Sequence, residues 1–333
     1  MCDYLSKKTK KLLTLMAMLA VAVGVLAPTS NARVEEVLKI GILQYVEHES
    51  LTANREGFIE GLKEAGYIEG ENLEIEYLNA ASDNANLQSM SETLANHNDY
   101  LFGISTPAAQ SLAAVESDKP IYFSSVSDPV GAKLIKSLDH PGTNLTGTVD
   151  AAPIEEQLEL LLSIQPDIQK VGLLYNSGEA NSESEASIAR KLIEEKGLET
   201  VEGAVTSTND ISQVLDALVK ESEAIFLVTD NTIASAMALV GNVAAEHKIP
   251  IVGGSIDMIE TNGLATYGLD YYDLGIQTAQ MLVRQIEEGT ATSDVPVETA
   301  EQLHLFVNEE YAKKIDVDPS SIQAPKKFNE SSQ

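Results

Sequence analysis

Six places in this 333-residue chain put small polar or acidic side chains directly after short apolar runs. They are Gln44 and Tyr45 with Glu47, Ser105 and Thr106, Ser127 and Asp128, Asp230 with Asn231 and Thr232, Ser255 with Asp257, and Tyr267 to Asp270. A short apolar run suits a strand buried on both faces, and a helix that follows it starts with N–H groups that have no partner inside the helix. In open α/β sheets such junctions hold polar ligands. Ser105 and Thr106 offer hydroxyls without charge, and Pro107 stands at a first helical position, where its missing N–H costs nothing. Asp230 offers a carboxylate. That asymmetry fits a zwitterion: hydroxyls and helix N–H groups receive a carboxylate, and Asp230 pairs with an ammonium. Tyr45, Tyr267, Tyr271 and Tyr272 are available as a stacking wall with polar tips. The competing role for each Ser, Thr, Asn or Asp is helix capping, the commonest use of these residues at helix starts.

Other chemistries find little support. The chain has no G-x-S-x-G elbow, P-loop or H-E-x-x-H, and the glycines near Gly41 lack the dinucleotide-binding spacing. Histidines 48, 97, 140, 247 and 304 are scattered without metal-ligand spacing, and Cys2 is the sole cysteine, so no metal site, cofactor or internal disulfide is expected. A net charge of −29 repels nucleic acid and anionic lipid. The expectation is a binding protein, not an enzyme, with a small molecule as its ligand.

The elements that must position these residues alternate. Leu38 to Tyr45 reads as a first buried strand, Ala53 to Ala65 as a helix ended by Gly66, and Leu73 to Leu78 as a strand with one polar face. Leu87 to Leu94, the strand and helix around Ser105, Ile121 to Ser125 and Leu145 to Val149 complete one half. The alternation restarts at Val171 to Tyr175 and runs through the stretch AIFLVTDNTIASA, an apolar run from Ala224 to Val228 followed by a helix from Ile233 to Val240. Ile249 to Gly253, Leu264 to Leu269 and a helix from Leu274 to Glu287 follow. Two α/β halves with parallel sheets and right-handed crossovers are therefore expected. The first lobe takes residues 33–150, to which either 271–290 or 303–320 returns, and the second takes 151–270. The expected crossings are Thr148 to Pro153, Tyr267 to Tyr271 and the neighbourhood of Asn308, which together permit a hinge. Beyond Ile315 a frayed tail is expected.

Residues 1–32 stand apart: four lysines, an apolar run of 16 residues from Leu12 to Ala27, then Ser30-Asn31-Ala32. That is the order of an export signal, and its length also suits an uncleaved N-terminal anchor. Cys2 precedes the apolar run, so it is not placed for lipid attachment.

Taken in order, KIGILQYVEH, GFIEGLKEAGY, STPAAQSLA, SSVSDPVGAKLI, PGTNLTGT, LVTDNTIASA and GLATYGLDYYDLG resemble the substrate-binding proteins of ABC importers of the tryptophan/tyrosine type, from about Leu38 to Val307. The resemblance implies two Rossmann-like lobes of the type I periplasmic-binding-protein kind, joined by three crossings and closing on a small ligand. It further implies an aromatic amino acid as ligand, an ABC permease as partner, a monomer, and a place outside the cytoplasmic membrane. By the same resemblance Ser105, Thr106, Ser127 and Asp128 would hold the ligand carboxylate, and Asp230 with Asp257 the ammonium. Many such binders are lipid-anchored, a pattern from which this chain departs. The alternative function is a sensory module reporting ligand to a membrane receptor.

Overall fold

The computed structural model describes residues 37–300 and 302–323; the leader lies outside them. Strands β1 (Leu38–Gln44), β2 (Leu73–Asn79), β3 (Tyr100–Ile104), β4 (Ile121–Ser124) and β5 (Leu145–Val149) alternate with helices α1 (Glu49–Glu64), α2 (Asn84–His97) and α3 (Thr106–Val115). After α4 (Ile154–Ile164) come β6 (Lys170–Asn176), α5 (Ala180–Glu195), β7 (Glu199–Val205), α6 (Thr208–Glu221) and β8 (Ala224–Leu227). Then follow α7 (Asn231–Ser235), α8 (Met237–Glu246), β9 (Ile251–Gly253), α9 (Ile256–Asn262), β10 (Ala265–Gly268) and α10 (Tyr271–Glu288). The chain closes with β11 (Glu298–Thr299), β12 (His304–Val307) and α11 (Glu309–Lys314).

These strands form two six-stranded sheets, in the orders β11-β5-β4-β3-β1-β2 and β12-β10-β9-β8-β6-β7. All pairings are parallel except β10 with β12. The central strands are apolar throughout because helices cover both faces of each sheet; β4 and β8 are wholly buried. Each sheet has its own core. In the first, Phe58 of α1 stacks on Phe102 of β3 with ring centroids 4.0 Å apart, and each such buried ring contributes roughly 1.5–3 kcal/mol.

Helix α10 returns to the first lobe and packs on α1 at backbone contact. A Cβ on Gly57 would stand 2.0 Å from the Tyr272 carbonyl oxygen, and one on Gly275 would stand 2.1 Å from that of Asn54. Side chains larger than hydrogen would push the helices apart and break the core beneath them.

The described residues pass between the sheets at 150–153, at 269–270 and again between β11 and β12. The third passage corrects the expectation at Asn308. The tail strand, a candidate to return to the first sheet, instead pairs antiparallel with β10 in the second, Ala265 opposite Val307. The return is made by α10 and by β11, which pairs with β5. Asn308 caps α11 by accepting from the Glu310 and Tyr311 N–H groups. The helix expected over Ile233 to Val240 is broken at Ala236, between α7 and α8. The tail does not fray at Ile315: Pro319–Ser321 forms a 3-10 turn, and Ile322 is buried against the second core.

Candidate functional site

The carboxyl ends of β1, β3 and β4 supply one wall of a cleft. Ser105 follows β3 with φ 94° and Ser125 follows β4 with φ 57°. Positive φ is uncommon for serine and costs on the order of 1–3 kcal/mol. The hydroxyls of Ser105, Thr106 and Ser125 are enclosed and have no hydrogen-bond partner, a desolvation cost of about 1–3 kcal/mol each. Neighbouring hydroxyls are not left this way. Asn54 Nδ2 donates to Ser124 Oγ at 2.9 Å, Ser124 meets Thr148 at 2.8 Å, and Thr148 meets Thr278 at 2.7 Å. In this wall the unpaired hydroxyls are those just beyond β3 and β4.

In the opposite wall, from β6, α5 and α7, the two acids are satisfied, while Asn181 Oδ1 of α5 is enclosed without a partner. Asp230 is buried; its Oδ1 accepts from the Ile233 N–H at 2.7 Å, capping α7, and its Oδ2 from the Asn176 N–H at 2.5 Å. Glu179, equally buried, accepts from Thr232 N–H and Oγ1 and from Asn176 Nδ2 on Oε1, and from Asn231 Nδ2 on Oε2 at 2.5 Å. Burial, and after it the Glu179 carboxylate, raises the Asp230 carboxyl above the usual carboxylate range. Burial, then the Glu179 carboxylate, also pushes the Tyr45 phenol up to about 12.

At the first passage between sheets, Asp150 accepts from Ser127 Oγ at 3.0 Å and from the Tyr271 hydroxyl at 2.8 Å. Glu185 of α5 accepts from the Thr229 N–H at 2.7 Å and weakly from the Ala152 N–H at 3.5 Å. Desolvation raises the Asp150 carboxyl and pushes that of Glu185 up to about 7.

Between the walls lies an inner cavity of about 10 Å3, lined among others by His48, Ser50, Ser125, Asp150, Asp230, Asn231, Ser255 and Tyr271. No lysine or arginine lines it. Outside it, and sharing His48, Ser50, Ala234 and Met258 with it, is a second space of about 320 Å3 that adds Glu47, Met237, Ala238 and Asp257. Among the described residues, hydrogen bonds that cross from one lobe to the other include His48 Nε2 to Asn231 Oδ1 at 3.4 Å, Ser50 to Ser255 at 3.0 Å, and Ser184 Oγ to Asp128 Oδ2 at 3.3 Å.

The residues singled out in the sequence therefore divide. Asp230 and Asn231 line the inner cavity; Tyr45 follows β1, Ser105, Thr106 and Ser127 follow β3 and β4, and Thr232 lies in α7, all five outside the lining of that cavity and of the outer space. Asp128 lies at the mouth, accepting from Ser184 and from the Gly131 N–H. Asp257 lines the outer space, and Tyr267 a small adjoining one. Gln44 is turned into the first lobe, where its Oε1 accepts from Arg55 and Tyr77. Asp270 caps α10 by accepting from the Tyr272 and Asp273 N–H groups, and lines a different pocket. His48, Glu179, Glu185, Asp150 and Ser125 were not singled out. Asp150 and Ser125 follow β5 and β4, where the strand-end rule applies; the others carry no such signal. Among the described residues no group of three or more His, Cys, Asp or Glu side chains is arranged to hold a metal ion.

Two parallel α/β lobes joined by three short passages, with a buried polar cleft between them, define a two-lobe binding protein that admits its ligand between the lobes. A family model for ABC transporter substrate binding proteins matches residues 39–323, and the chain belongs to that family. Proteins of this class bind a transported substrate without transforming it, and they are exported. A tyrosine-binding protein of Clostridioides difficile is 35% identical over 279 residues, which is 84% of this chain and 81% of that protein. An ABC domain in complex with L-Trp from Streptococcus pneumonia is 35% identical, with a TM-score of 0.81 over 88% of this chain and 97% of that one. The ligand-free, open structure of a substrate binding protein with adhesive properties from Clostridium difficile is 37% identical, with a TM-score of 0.65 over 85% and 96%. Hydrogen bonds that span the cleft hold the two lobes in contact across it. Among the described residues no helix is long and apolar enough to cross a membrane.

Proposed function

We propose that this chain captures an aromatic amino acid (tyrosine, tryptophan or phenylalanine) between its lobes and delivers it to an ABC permease, acting as a monomer at the outer face of the cytoplasmic membrane. The observation that carries the reading is the pairing of three enclosed, unpartnered hydroxyls, Ser105, Thr106 and Ser125, with a wall of carboxylates that no lysine or arginine neutralises. Hydroxyls held at a strained backbone and left without partners suit a carboxylate that brings its own acceptors. Uncompensated acids suit an ammonium, and Asp150 and Asp230 both line the inner cavity. The names of the tyrosine-binding relative and of the L-Trp complex support the same ligand class. Ligand pockets generally measure about 300–1,000 Å3; the inner cavity has room for about one water, so the charged head enters it only as the walls part, whereas the outer space of about 320 Å3 has room for a ring against Met237 and Met258.

Calorimetry with the three amino acids and their amides tests the reading. The acids bind and the amides lose most of their affinity. Ser105→Gly with Ser125→Gly, which relieves both positive-φ positions, weakens binding of the free acid by about 1–3 kcal/mol and barely affects the amide. Equal affinity for acid and amide would refute the carboxylate assignment.

A further inference from the structure

Asn231 fixes more than its own position. Its Nδ2 donates to Glu179 Oε2, and a carboxylate only accepts, so the Asn231 amide is oriented with Oδ1 away from Glu179. That Oδ1 faces His48 Nε2 across the cleft at 3.4 Å. An amide oxygen also only accepts, so the proton of the neutral imidazole belongs on Nε2, which leaves Nδ1 with a lone pair. Although His48 as a residue is half-buried, its Nδ1 is fully enclosed and has no partner. Burial holds the ring neutral, pushing its pKa down to about 4. The ring borders both the inner cavity and the outer space.

We propose that His48 is a specificity-determining residue: Glu179 and Asn231, from the opposite lobe, hold it as the Nε2–H tautomer, and Nδ1 accepts a hydrogen bond from an N–H or O–H of the bound ligand. The inference rests on the amino-acid reading above. The donor has two sources in such a ligand, the α-ammonium in the inner cavity or the phenol O–H or indole N–H of a side chain in the outer space. A site that hydrogen-bonds a ligand donor rejects the analogue lacking it, because the buried acceptor is then left unpaired. The chain of contacts also ties recognition to closure, since the tautomer is set only when Asn231 has been brought against His48.

The test uses the full chain in two measurements. Ring-nitrogen NMR of His48 in the wild-type protein saturated with tyrosine or tryptophan should show Nε2 protonated and Nδ1 unprotonated, with the Nδ1 resonance moved from its ligand-free position as it becomes an acceptor. Binding of tyrosine, tryptophan and phenylalanine is then compared between wild type and His48→Phe, which keeps a planar ring and removes both nitrogens. A tenfold or larger loss for tyrosine and tryptophan, with phenylalanine held within threefold, supports a side-chain donor. A comparable loss for all three supports the ammonium. Unchanged affinities, or an Nδ1–H tautomer in the ligand-bound wild type, overturn the proposal, and the NMR result stands even if His48→Phe fails to fold. If the wild type binds none of the three, the amino-acid reading itself fails; if it binds them and the His48 ring-nitrogen spectrum does not change, only the role of His48 fails.

Discussion

The two walls of the cleft are built on opposite principles. The wall from the first lobe keeps three hydroxyls unpaired, on a backbone that favours glycine at two of the three positions. The wall from the second lobe satisfies its acids internally: Asp230 and Glu179 between them accept from three backbone N–H groups and from the side chains of Asn176, Asn231 and Thr232. One wall carries a standing cost that only a ligand relieves, and the other is held in place before the ligand arrives. Removing groups from the first should therefore damage binding, and removing groups from the second should damage the fold.

The sharpest way to break that contrast is Asp230→Asn. An amide keeps one acceptor oxygen, so either the Ile233 or the Asn176 N–H would face an NH2 group in a buried site. Loss of one such bond, with the second group left unsatisfied, is expected to lower folding stability by about 2–4 kcal/mol, partly offset by relief of the repulsion from Glu179. Denaturant melts of Asp230→Asn and of Ser125→Gly measure it, the serine variant staying within about 1 kcal/mol of wild type. A cost at Ser125 equal to that at Asp230 would mean the walls do not differ.

Acidity gives the second test, because only the wall of carboxylates can titrate near neutrality. Glu185 has a folded-state pKa of about 7 against an ordinary 4.5, and Asp150 and Asp230 are raised as well. A raised folded-state pKa means stability fully present below the unfolded value and lost as pH rises through the folded one, here from about 4.5 to about 7. His48 acts in the other sense: with a folded-state pKa of about 4 against 6.5, its contribution is present above 6.5 and lost as pH falls toward 4. The acids outnumber it, so the ligand-free protein should be more stable at pH 5.5 than at pH 8, by about 1–3 kcal/mol. The loss should be steepest above pH 6.5, where His48 no longer opposes it. Melting temperatures across that range read the effect, and Glu185→Gln should flatten the profile.

Much of this architecture was legible because strands covered on both faces, such as VGLLY and AIFLV, have few alternatives as short apolar runs between helical patterns. The third passage was not. Glu298–Thr299 is a two-residue strand without an apolar pattern, and nothing in HLFV says which sheet edge it will join. At the cleft, polar residues after strands pointed to Ser105 and Asp230, and equally to Asp270, which caps α10, since the same side chains serve both uses. Glu179, Glu185 and His48 stayed hidden for another reason. They lie just before or within helices, and their burial is created by contacts distant in sequence, with Asn231, Thr229 and the opposite lobe.

The smallest effect separates closure from the walls themselves. Ser50 with Ser255, and Ser184 with Asp128, join the lobes and belong to neither wall's internal network. Ser184 keeps partial access to water, so losing its bond leaves little buried and unpaired, while the Ser50 pair is enclosed and neutral. A net hydrogen bond of either kind is worth about 0.5–1.5 kcal/mol, and it forms only when the lobes are shut. Ser50→Ala and Ser184→Ala should therefore each shift the open-to-closed balance without touching the stability of either lobe. The reading is a twofold to tenfold loss of affinity, expressed mainly as faster ligand release, with an unchanged melting midpoint in the ligand-free state. Small-angle scattering of the double variant should show a larger radius of gyration than wild type at subsaturating ligand, and the same radius once ligand saturates both. If the variants instead melt earlier and bind normally, these contacts support the fold, and closure is driven by the ligand against the walls alone.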